Sequence, residues 1–282
     1  MQESVAWQEL GSTFESGPID WSVRVERLDG GAVFDTGSGR VLHTASIGKI
    51  LLLLEAARAL RAGELRAHEP LDRRHAEPIA DSGVWQHLAQ NDLEVRDVIR
   101  LIGLASDNWA TNVLLDRVGG PAAVRRTADA LGIHDVMLHD RVRNVRTAEH
   151  APALSEASAD GLVALLRRLR RGEDELGALG GDVLDWLAGG FDLSMVAAPF
   201  GLDPLAHDEP DRGITLVNKT GTNVGVRADC GVVTGSAGTV VYACIANWAA
   251  DGPGGDTLRD DVLGAMHRLG HAIRECVTGR MT

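Results

Sequence analysis

The sequence is poor in the features that mark several large classes of protein. Its 282 residues carry 28 basic and 40 acidic side chains, a balance that argues against a binder of nucleic acid or of anionic membranes. Apolar runs such as residues 50–54 are far shorter than the ~20 residues of a membrane-spanning helix. The ten histidines show no HExxH or paired ligand spacing, and no G-x-G-x-x-G or P-loop motif is present. We therefore expect no metal, no cofactor, no nucleic acid and no membrane as partners.

The first residues, MQESVAWQELGSTFESG, also lack the basic, apolar and cleavage-site segments of a secretory leader. We expect a cytoplasmic protein, or a secreted one if a leader has been removed. The acidic balance indicates good solubility, and we expect a monomer.

Cysteine is scarce as well, with three residues and no CxxC pair, so neither a disulfide framework nor a cysteine zinc site is expected. If the hairpin through residues 235–238 turns near Ala237, Cys230 and Cys244 would face each other across two strands. We expect buried free thiols at these positions, with a disulfide as the alternative.

Two kinds of hydrophobic periodicity divide the chain. Alternating apolar residues predict strands over 21–26, 32–35, 213–220, 226–234 and 239–247. Helical spacing predicts helices over 46–62, 93–104, 108–118, 121–131, 159–171, 182–189 and 257–276. Strands at both ends around a helical middle predict an α+β fold, in which an antiparallel sheet from the N- and C-terminal segments is flanked by helices and carries an inserted all-helical lobe.

We interpret residues 1–282 as a single domain made of two lobes. Residues 20–45 and 213–278 would form an α/β lobe, and residues 46–212 a mainly helical lobe. No internal repeat or low-complexity tract indicates any other organisation.

Lysine is the scarcest charged residue of the chain. Of the 28 basic residues, only Lys49 and Lys219 are lysines and all others are arginines. An ammonium group is compact and can lose its proton inside a protein, whereas a guanidinium stays charged. The two lysines are therefore candidates for chemistry that arginine cannot perform.

The first lysine belongs to the motif S-x-x-K, which opens a predicted buried helix. At positions i and i+3 of a first turn, Ser46 and Lys49 lie on one face of the helix. A serine hydroxyl needs a nearby base to become a nucleophile, and a desolvated lysine close to another cation can serve as that base. An N-capping serine followed by a solvated lysine is the alternative for this motif taken alone.

A second motif, S-D-N, begins another predicted helix. Ser106 could relay a proton to a leaving group, Asn108 could bind a substrate amide, and Asp107 could cap its own helix. A plain capping sequence is the alternative.

A third motif, N-K-T-G-T, covers residues 218–222 at the end of a predicted strand. Lys219 supplies a positive field, and the hydroxyls of Thr220 and Thr222 can bind an anionic group. Gly221 would let a substrate backbone or carboxylate approach the strand closely. The backbone N–H of Thr222 would join that of Ser46 as a two-donor oxyanion hole.

In this order and on these elements, the three motifs resemble the set of class A β-lactamases and penicillin-binding proteins. The stretch SDNWATNVLLDRVGGPAAV looks like the equivalent helix pair of class A β-lactamases, and the resemblance extends over about residues 20–278. It implies the β-lactamase/transpeptidase-like fold and a serine acyl-enzyme mechanism on β-lactam amides.

The resemblance also implies roles for the motif residues. Ser46 would attack with Lys49 as base or proton relay, and Ser106 would protonate the departing nitrogen in the field of Lys219. Asn108 would orient the substrate's side-chain amide, and Thr220 and Thr222 would bind its carboxylate.

Two further substrate contacts are implied less directly. Trp85 resembles the aromatic gatepost of the family, with a core or surface tryptophan as the alternative. Arg227 is a candidate for the arginine that binds the substrate carboxylate, with a solvent-facing strand arginine as the alternative.

The loop after the helix pair departs from the family pattern. Class A enzymes carry there a glutamate that activates the deacylating water. After Asp140 and Arg141 the sequence reads VRNVR, and Glu149 would be the base only if the loop is re-routed. Because a general base is typically worth about 10²–10⁴-fold in rate, hydrolysis of the acyl-enzyme would otherwise be slow.

The leading hypothesis is a serine hydrolase that acts through an acyl-enzyme on a small-molecule substrate, a β-lactam or a related amide or ester. Two alternatives remain. One is a β-lactam-binding protein that traps the acyl group with slow turnover, and the other is an intracellular esterase or amidase of the same fold.

Overall fold

The two ends of the chain meet in one antiparallel sheet. The computed structural model describes residues 7, 10–14, 17–205, 210–250 and 255–279. Its strands are β1 (Ile19–Arg27), β2 (Ala32–Thr36), β3 (Leu42–His43), β4 (Pro70–Asp72), β5 (Asp92–Glu94), β6 (Val136–Leu138), β7 (Ser155–Ala157), β8 (Thr215–Asn223), β9 (Val226–Gly235) and β10 (Gly238–Trp248). Five of them form the main sheet in the order β2-β1-β10-β9-β8. The predicted sheet from both ends of the chain is therefore confirmed.

Helices fill the middle of the chain, and a further helix follows the last strand. They are α1 (Lys49–Arg61), α2 (Val95–Ala105), α3 (Asn108–Val118), α4 (Gly120–Ala130), α5 (Ala159–Arg171), α6 (Glu175–Leu187) and α7 (Gly255–Thr278). The first of these, α1, buries almost its entire surface, as its apolar sequence predicts. The division into lobes after residues 45 and 212 stays a prediction.

The sheet separates two hydrophobic cores. Because successive side chains of a strand point to opposite faces, Val241 and Ala243 of β10 pack into the core formed with α1 to α6. Val240 and Tyr242 of the same strand pack on the other face, against α7. In the described part of the chain, no helix is both long and apolar enough to cross a membrane.

One predicted helix begins at the wrong residue. The expected helix over 182–189 is α6, which begins at Glu175, where the Asp174 side chain accepts a hydrogen bond from the Gly177 N–H. The glycines of this segment allow close packing: a Cβ on Gly180 would lie 2.1 Å from the Leu169 carbonyl oxygen of α5.

Two small sheets were not predicted from the sequence. One pairs β4 with β5, and the other has the order β3-β7-β6. The second is relevant to function because β7 carries Ser155 against the segment that enters α1.

The strand register at the two cysteines differs by one residue from the predicted one. The hairpin turns between Gly235 and Gly238, so Cys230 lies opposite Ala243, and Cys244 lies opposite Asp229. The two thiols point to opposite faces of the sheet and are free and buried. The expectation of free thiols is confirmed, and the facing arrangement is wrong.

Candidate active site

The three motifs meet on the wall of one cavity of about 1030 Å³, beside the edge strand β8. Six of the predicted residues line this cavity: Ser46, Ser106, Asn108, Lys219, Thr220 and Thr222. Lys49 lies beneath the wall and is 0 % exposed. The motifs are far apart in sequence, and the fold brings them together. In the described part of the chain, no group of three or more His, Cys, Asp or Glu side chains could hold a metal ion.

Ser46 lies in a short 3-10 turn, Ala45–Gly48, that leads into α1. Ala45 has φ 48°, a left-handed conformation that is unfavourable for a residue with a Cβ. The buried Ser155 of β7 holds this turn: its Oγ donates to the Ala45 carbonyl oxygen (2.6 Å), accepts from the Gly48 N–H (3.3 Å) and hydrogen-bonds to Thr44 Oγ1 (2.8 Å). The serine that presents the hydroxyl is thus fixed from outside its own helix.

Gly221 has a different role from the predicted one. A Cβ at this position would lie 2.0 Å from the Thr44 carbonyl oxygen and 3.1 Å from the Ser46 nitrogen. The close approach that glycine permits is therefore that of the chain's own backbone, not that of a substrate. It lets β8, which continues to Asn223 rather than ending at the motif, lie directly against the turn of Ser46. The oxyanion hole formed by the Ser46 and Thr222 N–H groups stays a prediction.

Both lysine amines converge on Ser106. Lys219 Nζ lies 2.9 Å from Ser106 Oγ, and Lys49 Nζ lies 3.3 Å from the same oxygen. Lys49 Nζ also donates to the Ser106 carbonyl oxygen at 2.6 Å and to Asn108 Oδ1 at 2.8 Å. Ser106 itself has φ 54° at the end of α2, so its left-handed backbone turns the hydroxyl between the two amines.

Burial lowers the pKa of both amines. Burial, reinforced by the charge of Lys219, holds the pKa of Lys49 well below its ordinary value. Burial also lowers the pKa of Lys219, but the charge of Asp192 and the groups at 229 and 230 opposes it, and this pKa is about 8. At pH 7 Lys219 is therefore mainly the cation, and Lys49 is the amine that can be neutral.

Lys49 Nζ lies within hydrogen-bond distance of three oxygen atoms, to each of which it donates: the Ser106 carbonyl oxygen, Asn108 Oδ1 and Ser106 Oγ. Its lowered pKa favours loss of a proton from this amine, and a neutral amine has a lone pair that accepts one. This is the arrangement of a base connected to a proton relay.

The helix cap of the second motif also shapes the cavity rim. Asp107 Oδ1 accepts from the Ala110 N–H, as the predicted cap. Its Oδ2 accepts from the N–H groups of Val84 and Trp85 at 2.7 and 2.8 Å. Asn108 Nδ2 donates to the Ala80 carbonyl oxygen. The S-D-N motif thus anchors residues 80–85 over the site.

Asp192 is a cavity residue that the sequence analysis missed. It lies on the cavity wall and accepts from the Ser194 hydroxyl at 2.6 Å. Burial alone would raise its pKa, but hydrogen bonds from Ser194 and from the Thr220 hydroxyl, and the charge of Lys219, lower it. The Thr220 hydroxyl, predicted to bind a substrate carboxylate, therefore donates to a carboxylate of the protein. No spacing in the sequence links residue 192 to the third motif.

Trp85 is not a gatepost. Its side chain is fully buried, and its indole N–H donates to the Gln90 carbonyl oxygen at 2.9 Å. It does not belong to the cavity lining, which at this edge consists of residues 79–84. The predicted role is wrong, and the alternative of a core tryptophan is confirmed.

The structure places Glu149, the candidate base, away from the cavity. It lies in an exposed turn outside the cavity lining. The loop reaches the cavity instead through Val142, Arg143, Asn144, Arg146 and residues 152–154, among which there is no carboxylate.

The loop carries one buried carboxylate, and it points into the loop. Asp140 accepts from Arg143 Nε and Arg146 Nη1, each at 2.7 Å. Burial alone would raise the pKa of Asp140, but these arginines and the Arg141 N–H lower it to about 2. Asp140 thus stays ionised and fully engaged in holding two arginines at the cavity wall.

Arg227 also lies off the cavity. Its Nη1 donates to the carbonyl oxygens of Asn223 and Val226 at 2.9 and 2.8 Å, and its guanidinium lies over the Trp248 ring. Although β9 places it opposite Thr222, it does not belong to the lining. The structure therefore places Arg227 away from the cavity in which a substrate carboxylate was expected to bind.

The chain is similar in sequence to known proteins. A family model described as "Beta-lactamase enzyme family" matches residues 6–268. Beta-lactamase L2 of Stenotrophomonas maltophilia is 35% identical over 80 residues, 28% of this chain and 22% of that protein. A beta-lactamase of Streptomyces albus G is 30% identical over 154 residues, 50% of this chain and 49% of that protein. The chain thus spans less than half the length of these two curated relatives.

Solved structures match over nearly the whole chain. A beta-lactamase from Sphaerobacter thermophilus superposes with a TM-score of 0.81 at 23% identity, covering 98% of this chain and 99% of that one. PBP-A superposes with a TM-score of 0.77 at 19% identity, covering 96% and 95%. A point mutant of PBP-A, solved as an acyl-enzyme complex with penicillin G, gives a TM-score of 0.74 at 20% identity, covering 96% and 97%. At these identities the likeness shows the fold.

Proposed function

This chain belongs to the beta-lactamase enzyme family, and we propose that it is a serine hydrolase that forms an acyl-enzyme with β-lactam amides and releases it slowly. The proposal of an acyl-enzyme rests on the convergence of both lysine amines on Ser106, in the cavity that Ser46 lines. The proposal of slow release rests on the loop of residues 142–154, which brings no carboxylate to that cavity.

Acylation begins at Ser46. Its Oγ attacks the carbonyl carbon of the β-lactam, and its proton moves to neutral Lys49. The C–N bond of the ring then breaks, and the proton passes from Lys49 through Ser106 Oγ to the departing nitrogen. Lys49 returns to its neutral state, and the acyl group remains as an ester of Ser46.

Lys219 keeps its charge through this step. Its Nζ donates to Ser106 Oγ and to the Thr220 carbonyl oxygen, both at 2.9 Å. A fixed cation here stabilises the oxygen of Ser106 while it gives up its proton, and it attracts the anionic group of the substrate. In a largely buried site such a charge acts through a low effective dielectric constant.

Deacylation requires a base for the attacking water, whose hydroxyl ends on the acyl carbon while Ser46 regains a proton. The cavity wall formed by the loop offers arginine, asparagine and apolar side chains instead. The other carboxylates on the lining, Asp81 and Asp192, belong to other segments. Lacking a rate factor of about 10²–10⁴ from a positioned base, the ester should accumulate.

Acylation is tested by mass spectrometry of the intact chain and of its peptides after exposure to benzylpenicillin. We expect one adduct of the mass of the whole antibiotic, on the peptide that contains Ser46. The Ser46→Ala variant should stay unmodified. Ser194→Ala, which removes an exposed hydroxyl outside the cavity lining, should still be modified. An unmodified wild-type chain would overturn the proposed function.

A further inference from the structure

Asp81 brings a charge to the cavity that none of the three motifs predicts. It lines the cavity, and its side chain is exposed. Its backbone has φ 75°, a left-handed conformation that an aspartate adopts at a cost and that asparagine or glycine would adopt more easily. A strained, solvent-facing carboxylate beside the proposed nucleophile therefore calls for a functional explanation.

The neighbours of Asp81 are bound to the S-D-N motif. Asn108 Nδ2 donates to the Ala80 carbonyl oxygen at 3.3 Å, and the Asn108 N–H donates to the Ser82 carbonyl oxygen at 3.0 Å. The Asp81 carbonyl oxygen accepts from Gln86 Nε2 at 2.8 Å. The backbone on both sides of the carboxylate is thus held in place next to a residue that also binds Lys49.

Among the residues that the structure describes, none makes a hydrogen bond or ion pair with the Asp81 carboxylate. Its charge acts on Lys49, whose pKa it raises against the effect of burial. Arg143 and Arg146 bind Asp140, and Asp192 accepts from the hydroxyls of Ser194 and Thr220. Asp81 is therefore a carboxylate on the cavity lining that an entering cation can pair with directly.

We propose that Asp81 makes the site prefer acyl donors whose side chain carries a cationic amino group. This inference rests on the proposed function. Ser46 and Asp81 line the same cavity, so the substituent of an acyl group on Ser46 shares that space with this carboxylate. An ammonium group there gains Coulomb attraction, and a carboxylate is repelled. The carboxylate is exposed, so the effect is modest and falls with added salt.

Three penicillins form a matched series for the test. Ampicillin, benzylpenicillin and carbenicillin share the ring system and the phenyl group, and they carry an ammonium, a hydrogen and a carboxylate at the same side-chain carbon. The second-order rate constant of acylation is measured for each at mildly acidic pH, where the amine is protonated, by mass spectrometry of the Ser46 adduct. The variants are Asp81→Asn, which suits the left-handed backbone, and Glu149→Gln as a control that removes an exposed charge outside the cavity.

We expect the wild-type chain to react fastest with ampicillin and slowest with carbenicillin. In Asp81→Asn the ratio of these two rates should fall by about three- to tenfold, the size expected of exposed charge pairs, while the rate with benzylpenicillin stays within about twofold. Glu149→Gln should keep the wild-type ratios, and concentrated salt should reduce them. Ratios that are unchanged in Asp81→Asn, or a wild-type preference for carbenicillin, would overturn the inference and leave the proposed function intact. Failure of all three penicillins to acylate Ser46 would overturn both.

Discussion

Two walls of the same cavity are built in opposite ways. The first, here called the motif wall, consists of Ser46, Ser106, Asn108 and Lys219 on the cavity lining, with Lys49 beneath them. The amines of Lys49 and Lys219 meet the polar groups of Ser106 and Asn108 over short distances. The second, the loop wall, consists of the cavity-lining residues between 142 and 154. In the proposed mechanism the motif wall provides a nucleophile, an amine base and a proton relay. The loop wall provides arginines and apolar groups.

The difference between the walls separates the two halves of the proposed reaction. The nucleophile, base and proton relay of the proposed acylation lie on the motif wall, where burial lowers the pKa of both amines. The base that deacylation needs would have to lie on the loop wall, where Asp140 is occupied by Arg143 and Arg146. A site of this kind is equipped to take up an acyl group and poorly equipped to release it.

The strongest test of the motif wall is Lys49→Arg. Arginine keeps the positive charge but cannot become neutral inside a protein, so the acylation rate should fall by about 10²–10⁴-fold, the contribution of a general base. Lys219→Arg serves as the matched variant and should lose about tenfold or less, because its role requires charge alone. Stopped-flow acylation by benzylpenicillin measures both, with circular dichroism to verify folding. Equal losses in the two variants would contradict the different charge states of the amines.

The loop wall is tested by introducing a carboxylate, the group that it lacks. Arg143→Glu places a carboxylate on the cavity lining, and Asp140 keeps Arg146 as a partner. Deacylation should become about 10- to 100-fold faster than in Arg143→Gln, which removes the same charge without supplying a base. The decay of the Ser46 adduct gives both rates. If the two variants decay alike, the missing carboxylate does not limit release.

The pH dependence of acylation tests the positive charge of Lys219 on the motif wall. Lys219 has a pKa of about 8, so above this pH it loses its proton, and the cationic field with it. Acylation should then fall by about tenfold per pH unit. Because burial also lowers the pKa of Lys49, protonation of this amine should slow acylation toward acid pH. In Lys219→Arg the alkaline fall should disappear, and its persistence would show that another group titrates.

Ser155 joins the two walls, since it belongs to the end of the loop and holds the turn of Ser46. Ser155→Ala leaves the Ala45 carbonyl oxygen and the Gly48 N–H without their buried partner, a loss of about 1–3 kcal/mol in the free energy of unfolding. Because Ala45 is strained, the hydroxyl of Ser46 should also be less well placed, and acylation should slow by several-fold. Chemical denaturation and acylation kinetics measure the two effects. A variant with normal stability and rate would remove Ser155 from this role.

The smallest effect is expected at Glu149. Because its side chain is exposed and outside the cavity lining, Glu149→Gln should leave the lifetime of the adduct unchanged within error. A lifetime extended tenfold would mean that the loop brings this carboxylate to the ester during the reaction.

The motif wall was largely predictable from the sequence because its residues come from short local patterns. S-x-x-K and S-D-N each fix the relative placement of their side chains at a helix start, and the scarcity of lysine singles out residues 49 and 219. The meeting of the three motifs required the resemblance to a known family. What the motifs did not show is that Gly221 makes room for the Thr44 carbonyl oxygen, because that contact joins segments far apart in sequence.

The loop wall was not predictable in the same way. Which loop residues reach a cavity depends on the path of the backbone, and here it is set by contacts such as Asn112 with Val142 and Asn144 with Pro78. Trp85 and Arg227 were misplaced for a related reason: the sequence names a side chain but not the side of the element on which it lies. Asp81 belongs to no motif, and its positive φ and its position on the cavity lining are seen only in the structure.

The lifetime of the Ser46 ester tests the contrast between the walls most directly. The wild-type chain is acylated with benzylpenicillin, freed of excess antibiotic by rapid gel filtration, and sampled by intact-mass spectrometry over time. If acylation is fast and deacylation is slow, Ser46 should be fully acylated and its ester should persist for hours. Complete return to the unmodified mass within seconds, with hydrolysed penicillin in solution, would contradict it.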